Sequence, residues 1–249
     1  MSPLWRLNPV PRLRTILELC EYSLLGFERM PPRDLMTQVR WLPDTPSTYC
    51  VKCGRSGHGS GSCHASIHCD ERLFSEVVRL GVYADPLATW IRELKFARWE
   101  AMGVELGRHL GEVCRAYLDR CETTIHAIVP IPMPTLRRHS RGIDHVHVLA
   151  REVAKVLDCP IKCPAGQRAG RTQARSRRTE RRQRPAAFFT RRWGKPVNGE
   201  NILLLDDVLT SGATAHSMCQ ILKSQGARNI VLAVLAVSEF ERKIGPERF

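Results

Sequence analysis

Asp206 and Asp207 stand side by side at the end of an apolar run, and a turn of small residues follows: Thr210, Ser211, Gly212, Ala213 and Thr214. Two adjacent carboxylates can accept hydrogen bonds from a pair of vicinal hydroxyls, the arrangement a ribose presents. The small residues suit a different group. A helix opening at this point leaves backbone N–H groups unpaired and carries a partial positive charge, and both favour an anion. Gly212 and Ala213 would let a phosphate approach the backbone, while Thr210, Ser211 and Thr214 add hydroxyl donors. With only Val208 and Leu209 between acids and turn, the segment is read as a sugar-phosphate site.

Cys50, Cys53, Cys63 and Cys69, four of the chain's 10 cysteines, offer a second chemistry. Cys-x2-Cys followed by Gly54 makes a tight turn with both sulfurs facing inward, which suits tetrahedral zinc. The second half is Cys63-x5-Cys69, flanked by His64 and His68. The fourth ligand is therefore Cys69 or His68, with His58 more remote, and the preferred set is Cys50, Cys53, Cys63 and Cys69. Four protein ligands leave no open position, so the zinc is expected to be structural rather than catalytic. Cys20, Cys114, Cys121, Cys159, Cys163 and Cys219 are scattered, several in apolar surroundings. This usage fits a metal site in a reducing cytoplasm better than a secreted disulfide framework.

The elements that must position these groups follow from periodicity. Residues 1–48 read as a helical lead-in, and residues 49–72 as a Gly-rich, zinc-ribbon-like module. From residue 73 to about 242 strands alternate with helices. VVRLGVY is a short strand, and residues 87–118 are helical with a break near Trp99 or Gly103. IHAIVPIPM is a buried strand ended by prolines, and HVHVLAREVAKVL is an amphipathic helix capped by Asp144. Residues 201–207 form the clearest strand, residues 213–225 a helix closed by Gly226, and NIVLAVLAV a last buried strand. Strands apolar along their whole length, alternating with helices, imply an α/β fold with a parallel sheet covered on both faces. In such a sheet ligands bind at the carboxyl ends of the strands, where the acid pair falls.

The formal charge of +13 points to polyanions, either nucleic acid or a phosphorylated small ligand. Much of it comes from residues 168–192, which hold ten arginines and the single acid Glu180. That stretch reads as a solvated loop, a flap over a bound ligand, or a contact for DNA or RNA phosphates. No run of eighteen apolar residues and no signal-peptide pattern is present, so neither membrane insertion nor secretion is expected.

The string ILLLDDVLTSGAT resembles the phosphoribosyl pyrophosphate (PRPP) motif of type I phosphoribosyltransferases. The resemblance implies ribose hydroxyls on Asp206 and Asp207 and the 5-phosphate on residues 210–214. Further matches narrow it. Val129-Pro130-Ile131-Pro132-Met133-Pro134 with Arg137, Arg138 and Arg141-Gly142 is similar to a segment of the ComF family, phosphoribosyltransferase-like proteins named for bacterial competence. So are Leu94-Lys95-Phe96, Gln173, Ser176, Arg181 and Ala187-Phe188, and a cysteine cluster just upstream of the first strand. The likeness covers about residues 49–238. It departs at Ile143-Asp144-His145, where the family usually has Phe-Asn-Gln. It implies a type I phosphoribosyltransferase fold with a small N-terminal zinc module. It further implies pyrophosphate contacts from Arg137, Arg138 and Arg141, since guanidinium pairs phosphate bidentately, and magnesium carried with PRPP. Two activities fit: phosphoribosyl transfer to an acceptor, with pyrophosphate release, or non-catalytic binding of PRPP and single-stranded DNA in DNA uptake, beside a DNA-uptake helicase.

Overall fold

The computed structural model describes residues 30–56, 73–133, 143–167, 189–191 and 196–239. The chain divides into two compact units after Arg40. In the first, a short helix α1 (Pro32–Gln38) opens on Pro32, whose missing N–H costs nothing at a helix start. The rest of the lead-in lies outside the described residues.

The second unit holds strands β1 (Glu76–Val82), β2 (Ala127–Pro130), β3 (Ala165–Gln167), β4 (Phe189–Arg191), β5 (Asn201–Leu209) and β6 (Asn229–Val237). Its helices are α2 (Leu87–Phe96), α3 (Glu100–Arg120), α4 (His145–Leu157) and α5 (Ala213–Ser224). Four strands form a sheet in the order β1-β6-β5-β2, and every pairing is parallel. The fold is that of a type I phosphoribosyltransferase, a parallel sheet flanked by helices.

Alternation along β5 and β6 divides the apolar residues between two faces. Ile202, Leu204, Ile230, Leu232 and Val234 join Ala215, Met218, Cys219 and Leu222 of α5 in one buried cluster. Leu203, Leu205, Val231 and Ala233 point to the other side and are equally buried, under α2, α3 and α4. The expected double cover is therefore observed. β3 and β4 form a separate antiparallel ladder, with Ala165 opposite Arg191 and Gln167 opposite Phe189. The arginine-rich residues between them lie outside the described residues.

The helical break falls at residues 97–99, where Arg98 adopts a φ of 54°, and Gly103 continues α3. That glycine has a packing role instead. Gly103, Gly107 and Gly111 recur every fourth residue and line one face of α3, which packs against α4. A Cβ on Gly107 would lie 3.2 Å from the Leu149 backbone, and one on Gly111 would lie 2.7 Å from Cβ of Val156. Gly107→Val therefore forces the helices apart and costs about 3 kcal/mol, read as a lower urea midpoint with an unchanged m-value.

Residues 41–56 belong to the same compact unit as the sheet. Asp44 N–H donates to Leu80 O at 2.6 Å, and Val77 N–H donates to Val51 O at 2.6 Å. The exposed edge of β1 is thereby covered, which blocks further strand addition. Residues 41–48, read from periodicity as part of the lead-in, and the start of the cysteine module at 49–56 both lie along this edge.

Candidate functional site

β5 delivers four buried aliphatic residues and then the two acids at its carboxyl end. Alternation sends them in opposite directions. Asp206 faces the α5 side and, with Val208 to Ala215, lines an open cleft of about 270 Å³ floored by Leu232 and Val234. Gly212 caps α5 in the left-handed region, with a φ of 77°, a conformation costly for any residue with a Cβ. Thr210, Ser211 and Thr214 are exposed beside it, and Ala213 N–H lies 3.4 Å from Ser211 Oγ. The turn thus brings three hydroxyls and the start of a helix to the mouth of the cleft.

Asp207 points to the other face, where two helices meet it. Lys95 Nζ, at the penultimate position of α2, lies 2.9 Å from Oδ1. His145 Nε2, at the first position of α4, lies 2.5 Å from Oδ2. The side chain of His145 is only 1% exposed, and among the described residues its buried Nδ1 has no hydrogen-bond partner. Asp144 caps α4 as its sequence position predicted, accepting from His147 N–H at 3.2 Å.

The two acids differ electrostatically. Burial, reinforced by the neighbouring charge of Asp207, pushes Asp206 up to about 7. Burial would also raise Asp207, but the hydrogen bond to His145 and the Lys95 ammonium overcome it and hold that carboxyl down at about 2. The pair therefore carries a single proton over the range between, and it resides on Asp206.

The sequence reading singled out Asp206, Asp207 and residues 208–214, and all of them are described. Its pyrophosphate candidates Arg137, Arg138 and Arg141 lie outside the described residues. The described chain before them leaves the sheet at Ile131, whose N–H donates to Leu205 O at 2.8 Å, one residue before Asp206. The contacts of Lys95 and His145 to Asp207 were not foreseen. The only signals were the Leu94-Lys95-Phe96 match and the departure at His145, and neither says that these residues meet an acid.

The cysteine turn has the shape its spacing asks for. Cys50 and Cys53 are both buried, Gly54 N–H donates to Cys50 O at 2.6 Å and Cys50 N–H to Arg55 O at 2.9 Å, and Gly54 has a φ of 74°. Two thiols on one tight turn fit half of a tetrahedral zinc site. Cys63, Cys69, His58, His64 and His68 lie outside the described residues, and no group of three ligating side chains occurs among the described ones.

Arg79 of β1 anchors this turn. Its side chain is 1% exposed, donates to Gly54 O at 2.5 Å and Ser56 Oγ at 2.7 Å, and pairs with Asp44 at 2.7 Å. Its guanidinium also lies over the ring of Tyr49, 4.8 Å from the centroid. Arg79→Met removes this set at once and is expected to cost on the order of 3 kcal/mol, measured by urea denaturation.

The phosphoribosyl transferase domain family matches residues 147–247. The DNA utilization protein YhgH of Escherichia coli O157:H7 is 28% identical over 195 residues, covering 75% of this chain and 82% of that protein. Competence protein F of Haemophilus influenzae is 25% identical over 197 residues, covering 76% and 84%. Competence protein ComFC of Bacillus subtilis is 33% identical over 99 residues, covering 40% and 39%. The matched domain spans the acid pair and its turn, and relatives with competence and DNA-utilization names align along most of the chain, so the protein is similar to the ComF family of type I phosphoribosyltransferase-like proteins.

Proposed function

We propose that the protein binds PRPP at the cleft between β5 and α5 and transfers its phosphoribosyl group to an acceptor. The supporting observation is that Asp206 and residues 210–214 line one cleft at the carboxyl end of a parallel strand. The 5-phosphate sits on the turn, against the N-terminus of α5 and the hydroxyls of Thr210, Ser211 and Thr214. Asp206 accepts from the ribose hydroxyls. In the reaction the C1–oxygen bond to pyrophosphate breaks, a nitrogen or oxygen nucleophile bonds to C1, the bonding electrons leave with pyrophosphate, and the nucleophile's proton passes to solvent. Magnesium carried on PRPP would offset the charge of the leaving group. Arg137, Arg138 and Arg141, which follow Ile131 in sequence, are the protein's candidates for the same work. The protein's contribution is positional and electrostatic. A structural zinc on Cys50, Cys53, Cys63 and Cys69 completes the reading.

A second reading is a binding module without turnover. The names of the relatives, which refer to competence and DNA utilization, and the net charge of +13 favour it. In it, residues 168–192 meet single-stranded DNA, and a DNA-uptake helicase is the expected partner. One assay separates the two. Purified protein is incubated with magnesium, PRPP and a panel of bases and amines, and pyrophosphate release is followed. Release dependent on one acceptor class supports transfer. PRPP binding without release, together with salt-sensitive retention of single-stranded DNA, supports the second reading.

A further inference from the structure

We infer that Lys95 and His145 are positioning residues that fix the orientation and charge of Asp207 on the α2–α4 face of the sheet, leaving Asp206 as the member of the pair that lines the cleft. The inference rests on the reading of the cleft as a PRPP site. Its geometry is independent of that reading. Two helices far apart in sequence each bring one donor to a separate oxygen of the same carboxylate, at 2.9 and 2.5 Å. Both Asp207 oxygens are thus engaged, and its side chain is 14% exposed. Among the described residues, the charged and titratable groups set against the pair are Lys95 from α2, His145 from α4 and the two aspartates themselves. Val234, the partner of Asp206 on β6, is apolar. Asp206 makes no such ion pair among the described residues. Its Oδ1 accepts only from the N–H of Asp207, at 2.9 Å.

The arrangement gives two adjacent carboxylates different work. Two bare carboxylates this close resist joint ionisation, and the proton they share is held by whichever is less stabilised as an anion. Lys95 and His145 settle that competition in favour of an anionic Asp207. The proton is left on Asp206, from which an arriving ribose must displace it. His145 presents Nε2 to Oδ2 of Asp207, so the clamp needs an N–H at this position rather than an imidazole.

The test reads proton location without ligand and ligand affinity separately. Asp206 and Asp207 are titrated by carboxyl ¹³C NMR in the ligand-free protein and in Lys95→Met, His145→Leu and His145→Gln. Calorimetry with magnesium-PRPP runs in parallel. In the wild type Asp207 is ionised throughout and Asp206 titrates alone near neutral pH. Lys95→Met and His145→Leu raise Asp207 by about one pH unit or more and spread the titration over both acids. His145→Gln, which keeps a neutral N–H donor, restores the wild-type pattern. An Asp207 titration unmoved in both Lys95→Met and His145→Leu, with folded spectra, overturns the inference, as does a wild type in which Asp206 ionises first. The expected titrations in a protein that fails to bind magnesium-PRPP would sustain the division of the pair and sink the PRPP reading.

Discussion

Asp206→Asn lowers magnesium-PRPP affinity about 100-fold above about pH 8, because an amide replaces the only carboxylate that lines the cleft among the described residues and hydrogen bonds to a charged acceptor contribute roughly 1.5–3 kcal/mol. The loss is pH-dependent, and its sign follows from where the proton sits. In the free protein Asp206 is raised to about 7, and hydroxyl donors require its ionised form. Binding therefore releases a proton below that value. Wild-type affinity is full above pH 7 and falls tenfold for each pH unit below it. PRPP's own phosphates titrate identically in both proteins, so the difference between wild type and Asp206→Asn isolates this carboxyl. The gap should be widest at high pH and close towards pH 5. Calorimetry across that range checks it, and a variant within about threefold of wild type at high pH removes Asp206 from the site.

The same substitution acts oppositely on stability. A carboxyl raised in the folded state contributes stability that is fully present below its unfolded value of 3.8 and lost as pH rises through about 7. At pH 8 the ligand-free wild type thus carries an unfavourable buried charge that Asp206→Asn lacks. The variant melts higher while binding worse. That opposition separates a site residue from a merely structural one, since a packing defect lowers both.

What was legible in the sequence follows the range of the interactions. β5, β6 and α4 could be read directly, because their signals are local: unbroken aliphatic runs in NILLL and NIVLAVLAV, and a cap at Asp144 before a 3.6-residue apolar repeat. The turn at residues 210–214 was legible for the same reason. The opposed orientation of Asp206 and Asp207 is implicit in strand alternation, but the reading of both as ribose acceptors did not draw on it. The motif places them at the strand's end, where twist and exposure leave the face undetermined by pattern. The partners of Asp207 were out of reach, since His145 stands 62 positions away and Lys95 lies on yet another helix. Only the tertiary crossing of α2 and α4 over β5 brings them in. Gly103 was misread as a possible break because a glycine in a helix has two explanations, and the closeness of α4 selects the second. The departure at His145 is accounted for physically, because histidine and glutamine both present an N–H to a carboxylate.

On the proposed structural zinc, Cys50→Ser and Cys53→Ser are each expected to reduce bound metal from about one per chain to less than about a tenth, since a tetrahedral site that loses one thiolate gives up much of its folding-linked binding energy. The consequence reaches beyond the turn. A Cβ at Gly54 would lie 2.8 Å from Val77 and 2.9 Å from Val237, so the turn is packed against the start of β1 and the end of β6. Its carbonyl also receives Arg79 at 2.5 Å. A turn that opens without its metal withdraws an acceptor from a buried guanidinium and uncovers the edge of β1. A loss of 3–5 kcal/mol there lowers the melting temperature by about 10 °C, and a strong chelator added to the wild type gives the same shift. Serine variants should also associate more readily, because an uncovered parallel edge presents unpaired N–H and C=O groups. Zinc well below one per wild-type chain removes the metal. Full zinc in Cys53→Ser, with none in Cys63→Ser and Cys69→Ser, transfers the site to the second half of the cluster and leaves the turn held by Arg79 and by its packing against β1 and β6.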